Sequence, residues 1–185
     1  LDTLCSPDFH GRGYVKDGDR IASEWIASKF RQFGVKPVKA DFYQPFQFNV
    51  NSFPDSMRVA IDGRKLNAGT EFLLDAESGT LSGSFTLVHV TPSDLQGPER
   101  KGMTMGVLLG KAACLHWPET GNGDSLRMFR QWERELMDHC VVVKPAKKLT
   151  WSVATDARRF PLIEVAEAIL SDSSSSIDLS IRNAL

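Results

Sequence analysis

The side chains best suited to metal or nucleophilic chemistry are four histidines and three cysteines: His10, His89, His116, His139, Cys5, Cys114 and Cys140. A zinc ion needs at least three well-placed donors at about 2.0–2.3 Å, commonly histidines at helical spacing or histidine with carboxylates. Neither an HExxH nor an HxD arrangement is present. The densest groupings are Cys114-Leu115-His116 and Asp138-His139-Cys140, each too small to hold an ion without help from elsewhere. An intact double-zinc centre is excluded by ligand count. The histidines are expected as polar surface or strand-edge residues. The cysteines are odd in number and lack CxxC spacing, which argues against a disulfide framework or zinc ribbon and for small apolar side chains in or near the core. A Cys114–Cys140 bridge has no local support.

A serine nucleophile would need a base, an orienting group and a sharp turn such as GxSxG. Ser78-Gly79 and Ser82-Gly83-Ser84 are not that motif and read as turns between strands. The glycines Gly106 to Gly110, or Gly121-Asn122-Gly123, lack a phosphate-loop context, since Gly110-Lys111 runs into Ala112 and an apolar stretch rather than a helix start. Trp117, Trp132 and Trp151 are more simply core than a binding surface. Arg127, Arg130 and Arg134 make a basic helix face beside Glu133 and Glu135, by default a solvated one. The expected inventory is therefore no catalytic, no cofactor-binding and no metal-ligating residue in this chain.

The elements that must carry these residues follow from periodicity. Asp17 to Phe33 reads as a helix with Asp19 as N-cap, an apolar stripe of Ala22, Ile26, Phe30 and Phe33, and Gly34 as the stop. Pro37 ends helical character, and Phe42, Phe46, Phe48 and Val50 alternate as in a half-buried strand. From Phe53 onward short strands alternate with turn signals. These are Met57 to Ile61 before the Asp62-Gly63 turn, Ser84 to Val90, Gly106 to Gly110, Ala112 to His116, Val141 to Val143, Thr150 to Ala154, Phe160 to Val165, and Ile177 to Ile181. A second helix starts near Asp124 and buries Leu126, Phe129, Trp132 and Leu136. A short helix is expected at Val165 to Leu170. The fold class is α+β.

With 185 residues, 42% hydrophobic, 24% charged and a net charge of −1, the chain has the composition of an ordinary globular domain, or two small ones. It lacks the basic excess of a nucleic-acid binder, and no apolar run reaches membrane-span length. It begins with Leu rather than Met and so reads as a trimmed piece, which leaves room for a removed leader and keeps localisation from being read directly.

Two groups of motifs carry a family resemblance. Leu4-Cys5-Ser6-Pro7-Asp8-Phe9-His10-Gly11-Arg12-Gly13, Asp17-Gly18-Asp19, Phe33-Gly34-Val35-Lys36-Pro37 and Tyr43-Gln44-Pro45-Phe46 together resemble the opening of the zinc-dependent aminopeptidases related to aminopeptidase Y and the glutamate carboxypeptidases. Gly110-Lys111-Ala112-Ala113-Cys114-Leu115, Cys140-Val141-Val142-Val143 and Phe160-Pro161-Leu162-Ile163-Glu164-Val165 resemble the protease-associated domain inserted in several of them. Arg127 to Asp138 departs from that pattern, lacking the usual Gly-Ala step before the apolar strand.

The resemblance implies a helix-and-strand segment of a peptidase-like α/β domain at 1–52 and a β-rich protease-associated-like domain at 53–185. It implies that zinc belongs to a downstream peptidase domain, the natural partner of this region, and that the protein is exported. It implies a non-catalytic portion that shapes substrate access. Gly11 would permit a tight turn and Arg12 would pair with a carboxylate. The other reading is a free-standing module that binds a protein or peptide partner.

Overall fold

The computed structural model describes all residues except 1, 13, 14, 48, 118–122, 151 and 185, together with the side chains of 12 and 15 as further exceptions. The chain forms two compact units, Leu1–Gln47 and Phe48–Leu185.

In the first unit a tight turn at Pro7–Arg12 holds His10 and Gly11 at φ 45° and 74°, the left-handed region in which glycine is unstrained. The side chain of Arg12, with its expected carboxylate partner, lies outside the described residues. Helix α1 (Gly18–Gln32) follows, two residues earlier than an Asp19 cap allows. Its N-cap is Asp17, and no side-chain cap bond forms. The C-terminus closes as expected at Gly34, whose φ of 71° lets Gly34 N–H donate to Arg31 O and Val35 N–H to Phe30 O, at 3.1 and 3.0 Å. The apolar stripe is buried only at Ala22, whereas Ile26, Phe30 and Phe33 are exposed. Ala22 and Ala27 are inside, with Phe9 set edge-on against Trp25, whereas Phe33 is 74% exposed. The strand expected over Phe42 to Val50 is absent. Pro45 lacks the N–H a ladder needs, and none of the described residues there pairs with a neighbouring strand. Phe48 lies outside the described residues.

The second unit is built on one eight-stranded sheet: β1 (Arg58–Ile61), β2 (Arg64–Lys65), β3 (Phe72–Leu74), β4 (Leu81–Val90), β5 (Ala112–Leu115), β6 (Val141–Ala146), β7 (Leu162–Ala166) and β8 (Ser176–Ile181). The spatial order is β2-β1-β8-β4-β5-β6-β7-β3. Strand β4 joins two regimes: Leu81 to Thr86 run antiparallel to β8, and Leu87 to Val90 run parallel to β5. Strands β5, β6 and β7 continue in parallel, and β3 closes antiparallel on β7. The short β1–β2 turn is the expected one, with Asp62 and Gly63 both at positive φ.

The sheet has to curl. Laid flat at a spacing of about 4.8 Å, its two edges would stand about 34 Å apart. Yet β2 and β3, the edges, are joined only by residues 66–71, which reach at most about 25 Å. The curl is visible in the contacts: Arg64 on β2 pairs with Glu71 beside β3.

The inner face collects Val59, Ile61, Phe72, Leu74, Leu87, Ala112, Cys114, Val141, Val143, Ile163, Val165, Ile177, Leu179 and Ile181, from every strand but β2. The outer face of the parallel part (Ala113, Leu115, Val142 and Leu162) packs on helix α3 (Gly123–Met137) through Phe129, Trp132, Leu136 and Met137. Alternation along β5 and β6 explains the division.

Several expectations change here. Gly106 and Val107 end helix α2 (Pro98–Val107), and Leu108 to Gly110 form a turn rather than a strand. A short apolar run does not distinguish the two, and Pro98 at the first helical turn favours the helix. Ser82-Gly83-Ser84 lies inside β4, because Ser180, Leu179 and Asp178 of β8 pair with it. Val165 continues β7 opposite Phe72 and Pro145, so Val165 to Leu170 is a strand end and turn, not a helix. Thr150 to Ala154 is irregular, with Trp151 outside the described residues, as are Gly121 and Asn122.

Ser78-Gly79 is structural, but by close packing. Buried Ser78 accepts from Leu162 N–H and donates to Leu162 O, both at 3.1 Å, while a Cβ on Gly79 would stand 2.2 Å from Arg158 O. Phe72, fully buried, should lose about 3–5 kcal/mol on replacement by Ala, whereas Phe33→Ala should stay within about 0.5 kcal/mol. Urea unfolding monitored separately for each unit checks this, and equal losses would contradict the burial pattern.

Candidate functional site

Three of the sequence's chemically capable side chains meet at one end of the inner face. On β5 the inward positions are Ala112 and Cys114, and the next inward residue is His116, whose N–H extends the ladder to Val90 O at 2.9 Å. Parallel pairing sets His89 of β4 opposite Cys114. The ligand-type atoms of His89, Cys114 and His116 consequently lie within 4.8 Å of one another. Cys114 is fully buried and the histidines are half-buried, with ring centroids 4.9 Å apart.

The ring orientations are held from outside. His89 Nε2 lies 2.9 Å from the carbonyl of Ser174, which can only accept, so this nitrogen carries the hydrogen and Nδ1 faces inward. His89 Nδ1 and His116 Nε2 are 2.6 Å apart. The other nitrogen of His116, Nδ1, stands 3.9 Å from the Asp172 carboxylate. The loop that supplies Ser174 and Asp172 is itself fixed. Ser175 O accepts from Leu87 N–H at 2.8 Å, and Asp62 Oδ1 accepts from the N–H and hydroxyl groups of Ser175 and Ser176. Those bonds hold the Asp62 carboxyl below the usual carboxylate range, with the Ser175 N–H the leading cause.

Burial pushes the Cys114 thiol up to about 11, with Asp172 adding repulsion, and the Cys140 thiol up to about 12. Both are free and buried, as the core reading expects, whereas Cys5 is exposed. His10 and His139 are exposed and join no cluster of ligand-type groups among the described residues. Asp138 pairs instead with Arg158 at 3.1 Å. No described cluster supplies the two-metal ligand set of the resembled aminopeptidases. The one group of three or more candidate donors among the described residues is His89, Cys114 and His116, which contains no carboxylate to bridge two ions.

A second concentration lies on the outer face, where a cavity of about 260 Å³ is lined by Trp117, Phe129, Arg130, Glu133, Lys144 and Glu164, among others. Trp117 stacks on Phe129 at 5.4 Å, and its buried Nε1 has no hydrogen-bond partner among the described residues. Trp132 is core, as expected. Glu133, 7% exposed, is neutralised by Lys144 at 3.0 Å. Arg127 and Arg134 lie on the solvated face and pair with Asp124 and Glu77.

Sequence spacing alone left Cys114 and His116 one ligand short. The missing partner, His89, is 25 residues upstream of Cys114 and is revealed only by strand register. The available signal was that His89 sits in an apolar strand at the parity of Leu87, an inward position.

Among solved structures the chain is similar in fold to the aminopeptidase from Aneurinibacillus sp. strain AM-1, with a TM-score of 0.52 at 14% identity. The likeness covers 89% of this chain and 39% of that one, so the chain spans well under half of that protein's length. At that identity the similarity is one of fold, and the fold is peptidase-like. No family model and no curated protein matches the sequence. No helix among the described residues is long and apolar enough to cross a membrane.

Two measurements follow. Iodoacetamide should modify Cys5 in the native chain and reach Cys114 and Cys140 only after unfolding, as read by peptide mass spectrometry. Burial raises the Glu164 carboxyl above its ordinary 4.5, against the Thr150 N–H bond and Lys144. Its favourable contribution is therefore present below pH 4.5 and is lost as pH rises through the folded value. Glu164→Gln should raise the urea midpoint at pH 7 and leave it near wild type at pH 4. A loss at pH 7 would show that the carboxylate is net stabilising.

Proposed function

We propose that the chain is a non-catalytic portion of a zinc-aminopeptidase-like protein that shapes substrate access to a catalytic centre built elsewhere. In this reading residues 1–52 open the peptidase domain and 53–185 form a protease-associated-like domain. Zinc for hydrolysis and the main partner surface belong to a downstream peptidase domain, and the protein is exported. The single observation that carries the reading is the likeness in fold to an aminopeptidase over 89% of the chain. The order of the two motif groups in the sequence adds to it. The outer-face cavity offers what peptide recognition uses, an aromatic wall at Trp117 and Phe129 beside the charges of Glu133, Lys144 and Glu164.

A free-standing binding module is the second reading, favoured by one feature: the unit Phe48–Leu185 holds a large inner core of its own. The purified chain, assayed with aminoacyl p-nitroanilides in the presence of zinc, should show no turnover above buffer. Zinc-dependent turnover would overturn both readings. A stable monomer by size-exclusion chromatography that retains a specific partner distinguishes the module from the domain portion.

A further inference from the structure

We propose that His89 Nδ1, Cys114 Sγ and His116 Nε2 bind one thiophilic divalent cation of the zinc class at the end of the inner face. Two imidazoles and one thiolate are a borderline-soft donor set, which suits zinc better than magnesium or calcium. The three donors come from adjacent strands and need no loop rearrangement to meet, since their atoms already lie within 4.8 Å of one another.

The outer contact of His89 favours a cation over a chance cluster. Metal-bound histidines almost always give their second nitrogen's hydrogen to a carbonyl or carboxylate, which fixes the ring and aims the bare nitrogen at the ion. His89 has that partner in the Ser174 carbonyl at 2.9 Å, while the Asp172 carboxylate stands 3.9 Å from His116 Nδ1, beyond direct hydrogen-bond reach. The two inward nitrogens, His89 Nδ1 and His116 Nε2, face each other across 2.6 Å. A hydrogen shared between them, or a metal ion bound by both, fits that geometry.

Zinc–nitrogen bonds of about 2.0–2.1 Å at a tetrahedral angle place two imidazole nitrogens about 3.3 Å apart. The rings must therefore separate by roughly 0.7 Å, a small change for two half-buried side chains at the sheet's end. On binding, the thiol proton of Cys114 leaves to solvent and the thiolate takes its place on the ion. Three protein donors leave a fourth position for water. The resulting centre would fasten β4, β5 and the 171–175 loop together.

The test uses cobalt(II) as the probe, in a Cys5→Ser background that removes the exposed thiol. One equivalent should produce a thiolate-to-cobalt charge-transfer band and the intense visible bands of a four-coordinate ion, and both should be displaced by one equivalent of zinc. Cys114→Ala should abolish the charge-transfer band. His116→Gln, at a less buried position, should weaken binding by about 10-fold or more with an unchanged circular dichroism spectrum. The absence of a charge-transfer band in the Cys5→Ser chain, or its survival in Cys114→Ala, overturns the assignment. If Cys114→Ala fails to fold, His116→Gln decides alone: undiminished affinity overturns the site.

Discussion

A sheet whose two edges are tied by residues 66–71 cannot lie flat, and the curl that follows governs the second unit. Curling gives the sheet an inside, and the pleat then assigns each residue to one side or the other. Phe72, Val141, Ile163 and Ile177 fill that inside without exposure to solvent. On the outer side α3 covers the parallel strands, through Leu136 and Met137 against Val142 and Leu162, with Leu95 and Leu108 completing the layer. Strand β4 makes the arrangement possible, because it changes partners midway from antiparallel β8 to parallel β5.

The same constraint places the chemistry. Parity along β5 turns Cys114 inward, and the β4–β5 register puts His89 opposite it. A slip of one residue would turn His89 outward and bring in Val88 or Val90, so the cluster depends on register as strictly as the core does. The loop behind the histidines is held by Asp62, a turn residue that also closes the β1–β2 hairpin. One aspartate thus links a turn at the sheet's edge to the orientation of an imidazole.

Much of this was legible where local pattern decides. The alternation of Ile177, Leu179 and Ile181, the β-branched run Val141 to Val143, the stop at Gly34 and the buried face of α3 all read directly from residue order. Illegibility set in where the outcome depends on what lies alongside. Phe42 to Val50 alternates well but finds no ladder partner among the described residues, and Ser82 to Ser84 resembles a turn but is paired by β8. The apolar Gly106 to Gly110 stretch fits either period, and the helix starting at Pro98 decides it. The stripe of α1 was legible as a pattern, yet Phe30 and Phe33 remain exposed, since periodicity does not report whether a surface exists to receive it. His89 was invisible as a partner of Cys114 for the same reason: pairing between β4 and β5 crosses α2 and cannot be counted along the chain.

The peptidase-like fold bounds what the chain can be without saying which residues act, because sites are grafted on folds. What this polypeptide adds is a sheet that converges two imidazoles and a thiol at one mouth. The most direct measurement of that convergence is nitrogen-15 NMR of the histidine rings in the metal-free chain, combined with ring-to-ring nuclear Overhauser effects. The account predicts that His89 carries its hydrogen on Nε2, with close contacts to the His116 ring and to Ser174. A bare Nε2 on His89, or no contact between the two rings, would contradict the arrangement on which the site rests.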